Sequence, residues 1–386
     1  MSVAAASRAM LAGNFAIGCG VMVVAGSLND LVASLQVSVA LGGQLISVAA
    51  VAMALGAPLL AVWWGNTDRR LLLTLALLGY AAGPLIRAVM PNYAALLPVR
   101  ALSMLGAAVF TPQAAAAINV MVPPADRGRA MTFIFLGWSI SSVLGLPLHA
   151  WIGESFGWRW AFALVAVLSL GAALAVWRTV PAGVRPPPLS LRSWGTVLSS
   201  PLLMGLVAVT VLSGAGQFTL FSYLAPYYRQ VLGAGAEGVS LLFMWFGAFG
   251  LLGNVLLTRW ISRLGAARCV DIGLLLVALT FIAWPWAQST TIMALVVVPW
   301  ALGVFSSNSA QQARLSASAP AFAPALLALN TSAIYLGQAV GAATGGAMVA
   351  ATGFGVLHQV ALAFMLLALG LSVWLGLRMR TQVTHG

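Results

Sequence analysis

Apolar residues run in stretches of roughly 20 along almost the whole chain, and short breaks rich in arginine, proline or glycine separate them. Within the stretches the apolar residues are continuous rather than alternating, which excludes the period-two strands of a membrane barrel. Membrane helices are predicted instead. A helix crosses about 30 Å of hydrocarbon with about 20 such residues and satisfies its own backbone groups there. The pattern places twelve spans at roughly 9–30, 43–64, 71–90, 94–119, 129–152, 159–178, 201–225, 238–258, 268–287, 291–312, 325–350 and 356–377. The first has the outline of a secretory leader, with Arg8 before an apolar run. It is too long for a leader's apolar region, and eleven spans follow, so it reads as a helix.

The longest break, 179–200, holds the run Pro186-Pro187-Pro188 with Arg185 and Arg192 and lacks an apolar stretch. It reads as a cytoplasmic linker between two six-helix halves, 1–178 and 201–386. The stretches GAPLLAVWWGNTDRRLLL (56–73) and GNVLLTRWISRLGAARCV (253–270) hold the same place in each half. Each ends a span, turns through a short basic loop and starts another. Two six-helix halves with repeated loops are the outline of a secondary transporter.

Composition sharpens this picture. Residues are 61% hydrophobic and 6% charged, with 18 basic side chains, all arginine, and 6 acids. So few charges cannot cover the surface of a water-soluble protein of this length, which excludes a soluble enzyme, a secreted disulfide scaffold and a disordered tail. In a soluble chain the net charge of +12 would point to nucleic acid; here it points to topology. With the N-terminus in the cytoplasm, fourteen arginines fall on the cytoplasmic side: Arg8, Arg69, Arg70, Arg127, Arg129, Arg178, Arg185, Arg192, Arg259, Arg263, Arg268, Arg314, Arg378 and Arg380. Arg87, Arg159 and Arg229 fall outside, and Arg100 falls inside a span. A wrong span count would scramble that asymmetry, so both termini are expected in the cytoplasm. Cys19 and Cys269 lie in apolar runs and say nothing about redox compartment.

No phosphate-binding glycine loop, metal-spaced Cys/His cluster or catalytic acid pair is recognisable, so no cofactor, no metal and no ATP-driven step are expected. The expected partners are a small-molecule substrate and the lipid bilayer, with no nucleic acid and a monomeric chain; the resemblance below adds protons.

Five passages carry a resemblance to a known family. Gly65-Asn66-Thr67-Asp68-Arg69-Arg70 resembles a shortened G-x-x-x-D-R-x-x-R loop between spans 2 and 3. Arg100 through Gly106 in span 4 resembles R-x-x-x-G-x-G, matching only in part at Leu105-Gly106. Gly137 through Gly145-Leu146-Pro147-Leu148-His149 resembles a span 5 motif of spaced glycines ending G-x-P-x-G, and Gly157-Trp158-Arg159 through Phe162 resembles the G-W-R-x-x-F loop that follows. Asn330 with Leu336-Gly337-Gln338 through Gly341 resembles span 11. Over essentially its whole length the chain resembles the major facilitator superfamily, in particular the twelve-helix drug/proton antiporter branch with sugar-, arabinose- and chloramphenicol-efflux permeases. The resemblance implies an all-α polytopic membrane fold in a bacterial inner membrane.

It also implies roles. Gly65, Asp68, Arg69 and Arg70 would form an ionic lock between the halves, the alternative being that the arginines only set topology. Asp126-Arg127 and Asp271 are secondary candidates for that network. Gly137, Gly145 and Gly153 recur every eight residues, and with Pro147 they mark a closely packed, kinked helix on which the halves rock. Arg100 would serve proton exchange. An arginine within a span costs about 2.5–3.5 kcal/mol on insertion scales and is read as a site by default. The alternative is snorkelling to the outer face, about 9 Å away.

The chain departs from the family where coupling matters. The stretch Gly18-Cys19-Gly20-Val21-Met22-Val23 of span 1 holds no acid, and Ala49 and Ala107 replace a tyrosine and a histidine of sugar-efflux relatives. The coupling candidates are therefore Arg100, Asp30 and His149, with Asp30 pairing transiently with Arg100. Asp30, His149 and Glu154 are all expected near the outer face. The resemblance implies a midplane cavity, drawn from Asn14, Gln113, Trp138, Gln217, Phe218, Tyr223, Trp245, Trp300, Asn308, Asn330, Tyr335 and Gln338. Apolar and thin in hydrogen-bonding groups, it suits amphipathic solutes better than polyols. Trp63, Trp64, Trp151, Trp158, Trp177 and Trp374 are expected in the interfacial belt. The resulting expectation is proton-coupled efflux by alternating access. The alternatives are an uncoupled facilitator or importer, and more distantly a membrane enzyme or a sensor.

Overall fold

The computed structural model describes residues 2–64, 67–88, 90, 92–123, 127–185 and 191–384; the side chains of 61, 62, 87, 88, 127–129, 132, 191–193, 258, 324 and 380–384 lie outside the description. Among the described residues there is no strand. Twelve helices are long and apolar enough to cross a membrane: Val3–Gly26, Val39–Leu60, Arg69–Ile86, Tyr93–Met121, Phe133–Phe156, Trp158–Thr179, Pro201–Gln230, Ala236–Leu257, Ala266–Trp286, Thr290–Ser318, Ala325–Thr352 and Leu357–Met379. Several are capped as their sequence suggests. Ser2, Ser38, Asn92, Ser200 and Ser289 each accept a backbone N–H of the turn that follows.

The expected spans hold, with three local differences. The first ends earlier, at Gly26, and a separate helix Leu28–Leu35 follows; at the break the Ser27 hydroxyl donates to the His149 carbonyl at 3.1 Å. The fifth span contains a π-helical turn, Ser141–Gly145, directly before Pro147. The ring of Pro147 removes one backbone donor, and the wide turn absorbs that loss. The linker is not bare: Leu191–Leu198 forms a short helix.

Contacts divide the chain into two units, Met1–Pro188 with Gly235–Met244, and Leu189–Ala234 with Trp245–Gly386. In the first, span 1 packs against spans 5 and 6, span 3 against spans 4 and 6, and span 2 against span 4. Glycine permits the tightest of these crossings. A Cβ at Gly137 would fall 2.7 Å from the Phe15 nitrogen and closer still to the Leu11 carbonyl. In the second unit, span 7 packs against spans 11 and 12, span 9 against spans 10 and 12, and span 10 against span 11. There Gly214 and Gly337 face each other, with a Cβ on Gly214 only 3.2 Å from Gly337 Cα. Of the tryptophans expected in an interfacial belt, Trp63, Trp64, Trp151, Trp177 and Trp374 are exposed. Trp158 is a correction. It is fully buried against Phe162, ring centroids 5.4 Å apart, because it opens its helix from inside the bundle.

Candidate functional site

Span 1 is unwound nowhere, yet three of its carbonyls carry a second donor. Tyr80 of span 3 donates to the Ile17 carbonyl at 3.0 Å. Arg100 of span 4 donates to the carbonyls of Gly20 at 2.9 Å and Val21 at 3.2 Å. Only 1% of Arg100 is exposed. It therefore does not snorkel: its fork spans two neighbouring carbonyls of an adjacent helix. Gly20 makes room for this arrangement, since a Cβ there would overlap the Tyr80 hydroxyl.

The structure does not bring Asp30 to Arg100. Asp30 Oδ2 accepts the backbone N–H of Trp158 at 2.6 Å. It thereby caps, from the helix Leu28–Leu35, the start of span 6, whose own cap residue Gly157 has no side chain to do so. Glu154 accepts from Asn29 at 2.7 Å, and Arg159 lies over the Trp158 ring at 4.5 Å. His149, expected near the outer face, is fully enclosed at 0% exposure. Neither ring nitrogen has a hydrogen-bond partner. Gly26 permits the enclosure, since a Cβ there would lie 3.1 Å from His149 Cβ.

The residues expected to line a cavity fall into two groups. Asn14, Tyr223, Asn330, Gln217 and Trp300 are buried and bonded within their own unit. Asn14 donates to the Ile134 carbonyl at 2.9 Å and accepts from Thr111 at 2.9 Å. Asn330 accepts from Thr210 at 2.6 Å, and Tyr223 donates to the Ala342 carbonyl at 2.7 Å. Trp300 Nε1 donates to Gln217 Oε1 at 3.2 Å, and its ring lies 5.1 Å from that of Phe281 and 5.2 Å from that of Phe246. These side chains join helices. Gln113, Tyr335 and Gln338 are buried, whereas Trp138 and Phe218 are half-buried. Trp245 is exposed, with Nε1 donating to the Ala294 carbonyl at 2.8 Å. Asn308 is half-buried, and its Oδ1 is buried without a donor, which leaves it suited to a ligand N–H or O–H.

The basic loop after span 2 turns inward on its own half. Gly65 and Asp126 lie outside the described residues, as does the side chain of Arg127. Asp68 accepts the N–H of Leu71 at 3.2 Å and that of Gly183. The N–H of Arg69 donates to the Val184 carbonyl at 3.0 Å. Arg69 is 2% exposed, with Nη1 donating to the carbonyls of Thr67 and Trp64. Arg70 stacks 4.2 Å over the Trp177 ring. All three residues hold the end of span 6 and the first residues of the linker.

One buried cluster was not foreseen. Arg314, expected in a loop, lies within the helix Val298–Ser318 at 4% exposure. It donates to the Ser372 hydroxyl at 2.7 Å and the Ser372 carbonyl at 3.0 Å, and that hydroxyl donates to Asp271 Oδ1 at 2.5 Å. Charge and counter-charge thus meet through a serine from a third helix. The sequence signal was the odd acid Asp271 in the second turn of span 9. Its partners stand 43 and 101 residues away by number, too far for any local pattern to join them.

Comparison with known proteins follows the same outline. The Major Facilitator Superfamily profile matches residues 10–325. The chain is 30% identical over 336 residues to a "Chloramphenicol resistance protein" of Streptomyces lividans, covering 84% of each. It is 27% identical over 347 residues to the "Inner membrane transport protein YdhP" of Escherichia coli K12, covering 89% of this chain and 88% of that protein. The crystal structure of a D-xylose-proton symporter superposes with a TM-score of 0.78 at 19% identity, covering 96% of this chain and 97% of that one.

Proposed function

The chain belongs to the major facilitator superfamily and is a multi-pass inner-membrane transporter, not an enzyme, and from that premise we propose that it exports small amphipathic compounds in exchange for protons by alternating access. The relative named for chloramphenicol resistance supports the direction and the class of cargo. The single observation that carries the coupling is His149, a fully enclosed imidazole with both ring nitrogens free of partners. Histidine changes charge close to neutral pH, so an imidazole that alternates between this dry site and water takes up and releases a proton in the physiological range. The charged groups on the elements packed around it are otherwise engaged: Asp30 on Trp158, Glu154 on Asn29, Arg159 on the Trp158 ring. Arg100 positions span 1 beside this site through the Gly20 and Val21 carbonyls. Asp30 enters the cycle only by leaving the Trp158 N–H, at which point it is free to meet Arg100. Within the second unit, the half-buried Phe218 and the Asn308 Oδ1 without a donor offer an apolar face and an acceptor, which suit an apolar cargo carrying one or two polar groups.

The test is reconstitution of the full chain in proteoliposomes, with a drug panel and sugars followed with and without an imposed pH gradient. Wild type should move amphipathic drugs faster with the gradient, and His149→Gln should keep gradient-independent exchange while losing at least about tenfold of the gradient-driven rate, a step of about 1.4 kcal/mol. Transport by wild type that ignores the gradient rejects antiport. It supports the second reading, an uncoupled facilitator, which the absence of an acid in the middle of span 1 favours.

A further inference from the structure

The two repeated basic loops differ in what their charges face. In the first half Asp68 supplies a counter-charge, Arg69 is buried and Arg70 is stacked on Trp177. In the second half the matching loop holds Arg259, Arg263 and Arg268, all exposed, and none makes a hydrogen bond or ion pair with a described residue. Trp260, between them, is 53% exposed.

Their depth is set by the helix. The apolar run of span 8 ends in Val255-Leu256-Leu257-Thr258, but the helix Ala236–Leu264 continues through Arg259 to Arg263, which stands about 6 Å further along the axis at 1.5 Å per residue. Four residues apart, they share one face, where like charges repel unless an anion lies between them. Gly265, at φ 81°, reverses the chain, and Arg268 follows in the first turn of the next helix. Among the described residues no acid answers them. Asp271 accepts from Ser372, and Glu237 sits at the opposite end of its helix, about 33 Å away by the same rise.

Three uncompensated guanidiniums and an exposed indole at the edge of the hydrocarbon match one chemistry, a phosphodiester at the bilayer surface. The planar fork pairs with phosphate oxygens, and the indole prefers headgroup depth. We propose that the Arg259–Arg268 loop is a docking surface for the headgroups of anionic phospholipids in the leaflet it faces. This differs from a topology signal, which acts during insertion and leaves the folded protein indifferent to headgroup.

The test uses the full chain in phosphatidylcholine nanodiscs carrying equal fractions of brominated phosphatidylglycerol or brominated phosphatidylcholine. Emission from Trp260 is read as the difference between wild type and Trp260→Phe. Brominated phosphatidylglycerol should quench that signal with a relative association constant at least about fivefold higher, the contribution of one guanidinium at a charged bilayer surface. The ratio should fall to about one in Arg259→Gln/Arg263→Gln/Arg268→Gln and survive in the triple lysine variant, which keeps the charge. High salt should lower it in wild type, a readout that needs no variant to fold. Equal quenching by both lipids in wild type overturns the proposal, as does a preference that persists in the glutamine variant or in high salt. Loss of the preference on adding millimolar inorganic phosphate would make this a free-anion site and overturn the lipid assignment.

Discussion

Arg100 and His149 show how little a residue's type says until its neighbours are placed. Arg100 is a buried charge held by carbonyls alone, with no carboxylate bonded to it. Removing a buried charge that leaves no counter-charge behind is often neutral or stabilising when the replacement fills the same space. Arg100→Met should therefore keep or raise the thermal midpoint of the purified protein while transport in proteoliposomes falls at least about tenfold, if the guanidinium serves the cycle. A collapsed midpoint in the same variant would assign Arg100 to structure alone. Gly137 gives the opposite case. Any Cβ there meets Phe15 and the Leu11 carbonyl, so Gly137→Val should destabilise by about 1–3 kcal/mol, read by thermal unfolding in detergent.

At the scale of elements, each unit is tied by clamps that join three helices. Arg314, Ser372 and Asp271 link spans 10, 12 and 9. Asp271 is only half-buried, so solvent screens part of the interaction and each single change should cost about 1–3 kcal/mol. Arg314→Gln and Asp271→Asn should be strongly non-additive: the double variant, which strands no charge, should unfold close to the worse single variant in a double-mutant cycle. Additive costs would show that the serine does not join the two charges. The loop after span 2 acts as a second clamp, on the linker. Asp68→Ala frees the Gly183 N–H, and that amide hydrogen should then exchange with solvent severalfold faster than in wild type, read by hydrogen-exchange mass spectrometry. An unchanged exchange rate would mean that the Arg69 and Arg70 contacts suffice.

For the whole molecule, the open matter in topology is which side each loop faces. The asymmetry of fourteen arginines against three predicts that both termini lie in the cytoplasm. Both native cysteines are buried, so single introduced thiols report cleanly. Val231→Cys should label with an impermeant maleimide in intact cells, and Ser262→Cys only after permeabilisation. The reverse pattern would invert the topology and, with it, the leaflet assigned to the Arg259–Arg268 loop.

The number of spans, their helical form and the two-half plan were legible in the chain by itself, because lipid offers the backbone no partner. Runs of about 20 apolar residues then have one stable form, and arginines at their ends set its polarity. The span 5 glycines and Pro147 likewise announced close packing and a distortion, although the form it takes, a π turn at Ser141–Gly145, was not readable. Partnership was decided only by the tertiary structure. Asp30 stands on the neighbouring helix yet reaches Trp158 rather than Arg100; Asn14 and Asn330 are spent on joining helices; Arg314 leaves its expected loop for a buried serine. The physical reason is common to all. In a nearly chargeless chain each polar group takes whichever donor or acceptor the packing brings within 3 Å or so, and that partner lies on another helix, with no trace in local spacing.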